Sequence, residues 1–266
     1  MTDNKQLWLA NLRIHYVWSF FSSILFLSPI ITLYYKQYWL NISDILFLTS
    51  ASRFFATLLE IPTSAIGDIF SRSRVLLLSV FSVFIARVIY LIYPDKIAFF
   101  VAVFFMALWQ ALWSWTGQAK LQDDLENAGM KNKFWVIISR LITLERLGYL
   151  LTPIGIYLIL RFFKDWYLIL AWMDVLVRIF VMYFVSRFKE YEVNNFTYKQ
   201  KLTSFFPTLN KWFMLFFKKN FLIFLILMIL WSNVWIFSIV VLPKLSMEWM
   251  QDYLSSYVVW IFILCW

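Results

Sequence analysis

Seven times along this chain an apolar run of about 20 residues passes with few or no charges, the length an α-helix needs to cross the hydrocarbon of a bilayer. The runs are Ile14–Tyr35, Ile45–Gly67, Val75–Tyr93, Ile97–Ala119, Phe134–Leu160, Trp166–Ser186 and Phe221–Pro243. In hydrocarbon every backbone N–H and C=O must find a partner inside the protein, so such runs fold as helices and assemble as a bundle. The expected fold class is therefore all-α, a polytopic membrane helix bundle. An eighth run begins at Tyr253 and reaches only to Trp266, too short to cross unaided. About seven to eight transmembrane helices are expected, in a chain incomplete at its C-terminus. Composition agrees, because 62% apolar residues, 15% charged residues and a mean hydropathy of +0.73 exclude an ordinary soluble domain.

Lys and Arg are held back on the cytoplasmic side during insertion. With the N-terminus inside, Arg72, Arg74, Lys120, Lys131, Lys133, Arg187, Lys189 and the lysines of 191–220 all fall on that side. Only Lys36, Lys96, Arg161, Lys164 and Lys244 fall outside. The expected location is a bacterial plasma (inner) membrane with a cytoplasmic N-terminus. The net charge of +9 then reflects topology and attraction to the lipid bilayer, with no nucleic-acid partner. Three segments follow from the pattern: a six-helix bundle over 1–186, a cytoplasmic amphipathic linker over 187–220 divided by Pro207, and the start of a second bundle over 221–266. One histidine, one cysteine and five glycines leave no metal-ligand spacing and no glycine-rich phosphate loop, so no cofactor, metal or catalytic residue is expected.

The most informative stretch is Arg53 to Leu76, where one apolar helix passes through a short charged connection into the next. Glu60, Pro62 and Thr63 lie near the end of the first helix, Asp68 follows where the run stops, and Arg72, Arg74 and Leu76 open the second. A second stretch ends the fourth run with Ser114, Ala119 and Asp123 at spacings of five and four. Together these resemble the major facilitator superfamily of membrane transporters. Ser64 and Ser71 stand where that family has two glycines, Ile69 and Ser73 replace two basic residues, and Trp115 replaces a further glycine. The resemblance implies a half-transporter of six helices built from inverted three-helix repeats, followed by the start of a second half. It implies secondary transport of a small solute by alternating access, without ATP. Asp68, Arg72 and Arg74 become a gating loop, and Ser114, Ala119 and Asp123 a companion loop after the fourth helix.

Candidate cavity residues are Arg53 and Glu60 on the second helix, Trp109 and Trp113 on the fourth, and Glu145 and Arg146 on the fifth. Intramembrane arginines outnumber acids, which suggests an anionic or zwitterionic solute, with a coupling ion as an additional partner. Arg87 is expected to snorkel to the headgroups. Asp174 and Arg178, four residues apart on one helix face, are expected to pair with each other. His15 reads as a lone interfacial imidazole. Two other readings stand beside transport: a truncated remnant that assembles with a partner, and a membrane-embedded transferase.

Overall fold

A computed structural model describes residues 2–190, with side chains described over 8–190 except 61, 62 and 64–69. The linker beyond Glu190, the seventh run and the eighth run lie outside the described residues. The described residues are all-helical, with no strand: α1 (Thr2–Ser23), α2 (Ile31–Gln37), α3 (Ile42–Ile69), α4 (Arg72–Ile92), α5 (Lys96–Asn127), α6 (Phe134–Phe162) and α7 (Trp166–Val185), with 3₁₀ turns at Ser28–Ile30 and Lys131–Lys133.

Five stretches are long and apolar enough to cross a membrane: Trp8–Gln37, Ile42–Glu60, Arg72–Ile92, Lys96–Asn127 and Trp166–Val185. These are the dimensions of an integral membrane protein. The helix α6 is not among them, since Arg140, Glu145 and Arg146 interrupt its apolar run. Beyond Arg146 its outer surface is nonetheless apolar, with Leu147, Leu150, Leu151, Ile154 and Leu158 all exposed.

The chain reverses at each connection, so two ends of the bundle can be named by their residues. At the His15 end lie the start of α1, the α3–α4 connection at Phe70–Ser71, and the α5–α6 connection. At the Tyr90 end lie α2 and the α4–α5 and α6–α7 connections. Packing does not follow chain order. The first span (α1 with α2), α3 and α4 form one trio, and α5, α6 and α7 a second. The leading helix of each trio packs on the two trailing helices of the other, α1 against α6 and α7, and α5 against α3 and α4. The last helices, α4 and α7, also meet, whereas α3 and α4 barely touch, as do α6 and α7. The core therefore forms only when the trios interlock. One apolar cluster joins Tyr34, Tyr35, Tyr90, Phe99, Ala102 and Leu170 at the Tyr90 end. Another joins Ile14, Trp18, Leu76, Val80 and Val181, and a third joins Trp8, Leu121, Leu125, Ile137 and Leu141.

The first span differs from expectation, because it is two helices with a break at residues 24–27 near mid-span. Three residue types explain the break. Ser22 and Ser23 donate back to the carbonyls of Ser19 (3.4 Å) and Phe20 (2.6 Å), offering the backbone an alternative to helix continuation. Pro29 lacks an N–H and restarts the chain in a 3₁₀ turn. Beyond it, Tyr34 donates to the Tyr90 carbonyl at 2.5 Å and Tyr35 bonds the Tyr90 hydroxyl at 2.9 Å, which anchors α2.

Candidate functional site

A break inside a membrane helix exposes backbone groups that lipid cannot satisfy, so it persists only where protein supplies partners. Here the partners are charged. The N–H groups of Phe26 and Leu27 donate to the two carboxylate oxygens of Asp174 at 2.7 and 3.3 Å. The Arg178 guanidinium donates to the carbonyls of Ser22 (3.2 Å) and Ile24 (2.7 Å). From α4, Arg87 places Nη1 3.2 Å from Asp174 and donates from Nη2 to the Ser28 hydroxyl at 3.2 Å. Side chains of α4 and α7 thus substitute for the missing helical turn of the first span. All three are sealed from solvent, Arg87 and Arg178 at 1% exposure and Asp174 at 0%. The cluster holds two guanidiniums against one carboxylate, and both Nε atoms are buried without a hydrogen-bond partner. Across the break, α6 presents Gly148 and Gly155: a Cβ on Gly148 would lie 1.9 Å from Ser23 Oγ, and one on Gly155 3.2 Å from Phe26.

Two sequence expectations are corrected by this geometry. Arg87 does not snorkel, because its fixed partner Asp174 lies at its own depth. Asp174 does not close on Arg178 alone, because its carboxylate is occupied by Arg87 and by the backbone of the break, while Arg178 serves carbonyls. Sequence reasoning missed the break itself. The signals available were Ser22-Ser23 and Ser28-Pro29 inside an otherwise apolar run.

A second polar cluster closes the His15 end. His15 Nε2 lies 3.1 Å from Asp124 Oδ2, and Asp124 Oδ1 accepts from Asn11 (3.0 Å) and from Lys120 (2.5 Å). Asn11 also clasps the backbone of Lys189 in both directions, donating to its carbonyl at 2.9 Å and accepting from its N–H at 3.0 Å. The His15 ring packs on Phe188, 4.8 Å between centroids. Asn11, His15, Lys120 and Asp124 are all buried. His15 is therefore an interior group with a carboxylate partner, contrary to the lone interfacial imidazole expected.

The residues of the two transporter-like stretches meet at this same end. Arg72 Nη1 lies 2.7 Å from Asp123 Oδ2 and donates to the Ala119 carbonyl at 2.5 Å, joining α4 to α5. Thr63 donates within α3 to Leu59 (2.7 Å) and across to the Ala111 carbonyl of α5 (3.3 Å). The Ser114 hydroxyl is spent on its own helix, on Ala111. Asp68 falls in the last turn of α3, so the connection shrinks to Phe70 and Ser71; its side chain lies outside the described residues. The first turn of α4 receives a different carboxylate, Glu190, which accepts from the Ser73 N–H at 3.2 Å. Arg74 is exposed and makes no ion pair among the described residues.

The candidate cavity residues are not gathered into one site. Arg53 and Arg146 are exposed, on α3 and α6, and make no ion pair among the described residues. Glu60 is half-buried, and Glu145 accepts from Tyr149 at 3.2 Å. Trp113 meets Trp18 of α1 edge-on, 6.1 Å between centroids, over Gly117, while Trp109 is half-buried. Among the described residues no group of three or more His, Cys, Asp or Glu side chains is placed to hold a metal ion.

Adjacent aspartates give a sharp expectation. Arg72 and Asp123 are both more than a third exposed, and exposed pairs contribute about 0–1 kcal/mol. Asp124 anchors a buried cluster, and removing its charge costs about 2 kcal/mol or more. Thermal unfolding in detergent should show Asp123→Asn close to the parent protein and Asp124→Asn clearly lowered. Equal melting of the two variants would contradict this division.

No protein family, curated protein or solved structure matches the chain.

Proposed function

We propose that this chain forms the N-terminal half of a secondary transporter of the major facilitator type, with the start of a second half, moving a small anionic or zwitterionic solute by alternating access. The observation that carries the reading is the interlocking of two three-helix units, with leading and trailing helices exchanging partners between trios. That exchange fits a pair of inverted three-helix repeats. Support comes also from the broken first span, since discontinuous membrane helices are a recurrent device of transporters. Arg72 joined to Asp123 links the two transporter-like stretches. In this reading the chain sits in a bacterial inner membrane with the His15 end cytoplasmic. Arg53 and Arg146 contribute positive charge to the solute path, and Asp68 with Arg72 and Arg74 acts as a conformational latch.

Two experiments test it. A reporter fused after Phe196 should read as cytoplasmic and one after Lys164 as external; the opposite readings overturn the orientation. For transport, the chain joined to a complete second half is reconstituted in liposomes and assayed for counterflow across a panel of amino acids, organic anions and cations; the 266 residues alone are expected to show none. Saturable exchange of an anion or zwitterion is expected. Asp68→Asn should slow exchange strongly while leaving solute affinity within a few-fold, because a latch shifts the balance of states rather than the bound contacts. Absence of protein-dependent exchange across the panel sinks the transport reading, and unchanged exchange in Asp68→Asn sinks the latch.

A further inference from the structure

Between α4 and α7 an open groove of about 610 Å³ runs from the His15 end into the membrane-spanning part of the bundle. Leu77, Leu78 and Phe81 of α4 face Ile179 and Met182 of α7 across it, so its walls are apolar. From Ser186 to Ile179 the groove descends two helical turns, about 10 Å. Its mouth is different in kind. Arg74, Tyr183 and Ser186 close it, and the Arg187 guanidinium lies over the Tyr183 ring, 4.8 Å from its centroid, while donating to the Tyr183 hydroxyl at 2.7 Å.

Among the described residues the charge at that mouth is net positive, with Arg74 and Arg187 against Glu190 once Arg72 is paired with Asp123. Among the described residues no acidic side chain lines the groove. The neighbouring cation, Arg72, is committed to Asp123, and the neighbouring carboxylate, Glu190, is committed to the Ser73 N–H. Arg74 and Arg187 are both exposed beside the mouth, with apolar-walled space beneath them. We propose that this groove is a binding site for an anionic phospholipid, its phosphate held between Arg74 and Arg187 and one acyl chain laid between α4 and α7.

Charge complementarity selects this occupant over the protein alternatives. The chain's own segment 191–220 carries Lys199, Lys201, Lys211, Lys218 and Lys219 against Glu192, so laying it across the mouth sets like charge on like. A second copy related by a two-fold axis would bring the same two arginines against themselves. An anionic headgroup supplies the missing charge, and basic pockets between membrane helices have this preference in general. A neutral lipid fits the walls equally well but gains nothing at the mouth. The two arginines should therefore enrich anionic over neutral lipid by about tenfold.

The test places a photoreactive benzophenone in the groove, Phe81→p-benzoylphenylalanine, in nanodiscs of equimolar phosphatidylglycerol and phosphatidylcholine with identical acyl chains. After irradiation, mass spectrometry of the adducts reads which lipid was captured. Phosphatidylglycerol adducts should exceed phosphatidylcholine adducts about tenfold. Adding Arg74→Gln and Arg187→Gln, both exposed positions, should bring the ratio to about one, and Arg161→Gln at the opposite end should leave it high. Equal capture of the two lipids by the parent protein overturns the proposal. So does enrichment that survives the double substitution, or adducts formed on peptides of 191–266 or of a second copy.

Discussion

Asp174→Ala is expected to abolish recovery of folded protein from the membrane. The substitution leaves Arg87 and Arg178 buried without their carboxylate and strips the acceptor from two backbone N–H groups in the break of the first span. Breaking a buried ion pair from one side costs about 3–5 kcal/mol. Each orphaned N–H adds about 1–3 kcal/mol. The sum reaches most of the 5–15 kcal/mol that holds a typical domain folded. Arg87→Met should be milder, because Asp174 keeps its two backbone donors. Size-exclusion profiles and thermal unfolding in detergent should therefore rank the parent above Arg87→Met and that above Asp174→Ala. Parent-like melting of Asp174→Ala would mean that the break is held by something other than this carboxylate.

Gly148→Leu is the second large effect expected, and it acts through space rather than charge. Even the first atom of a side chain at this position would lie 1.9 Å from Ser23 Oγ and 2.8 Å from the Phe20 carbonyl oxygen. The carbonyl belongs to the backbone of α1 and cannot turn away. Overpacking of one small group costs about 1–3 kcal/mol, so Gly148→Ala should already lower the melting temperature, and leucine should prevent α1 from seating on α6. Removing the hydroxymethyl group with Ser23→Gly should recover part of the loss in Gly148→Ala but not all, since the Phe20 contact remains. Full recovery would place the whole clash on the serine.

The helices were legible because the length of an apolar run is set by the thickness of a membrane, and each described run but the broken first returned as a single helix. Boundaries failed where amphipathic sequence extended a helix past the apolar run. The helix α5 continues from Ala119 to Asn127 because Leu121 and Leu125, four apart, pack with Trp8, Ile137 and Leu141. The break in the first span was hidden for a related reason: in a run apolar all round, periodicity carries no information about where the helix stops. Arg72 and Asp123 were each singled out, but nothing in a linear pattern states that they touch. The same holds for Arg87 and Asp174, which sit on different trios, so each looked like an isolated charge whose cheapest solution was local. Local solutions are what sequence reasoning prefers, and the charges around the break are satisfied at long range.

The interlocking of the trios has a consequence for how the protein is made. Ribosomes add about 5–20 residues per second, and Asp174 is synthesised 87 residues after Arg87, so about 4–17 s pass between them. During that interval Arg87 resides on a helix whose counter-charge has not yet been translated. The first trio can neither bury this guanidinium nor satisfy the severed backbone of its leading helix until the second trio inserts. Whatever receives the nascent helices from the translation machinery must therefore shelter a bare charge and a broken helix from lipid, and release them only when α7 arrives.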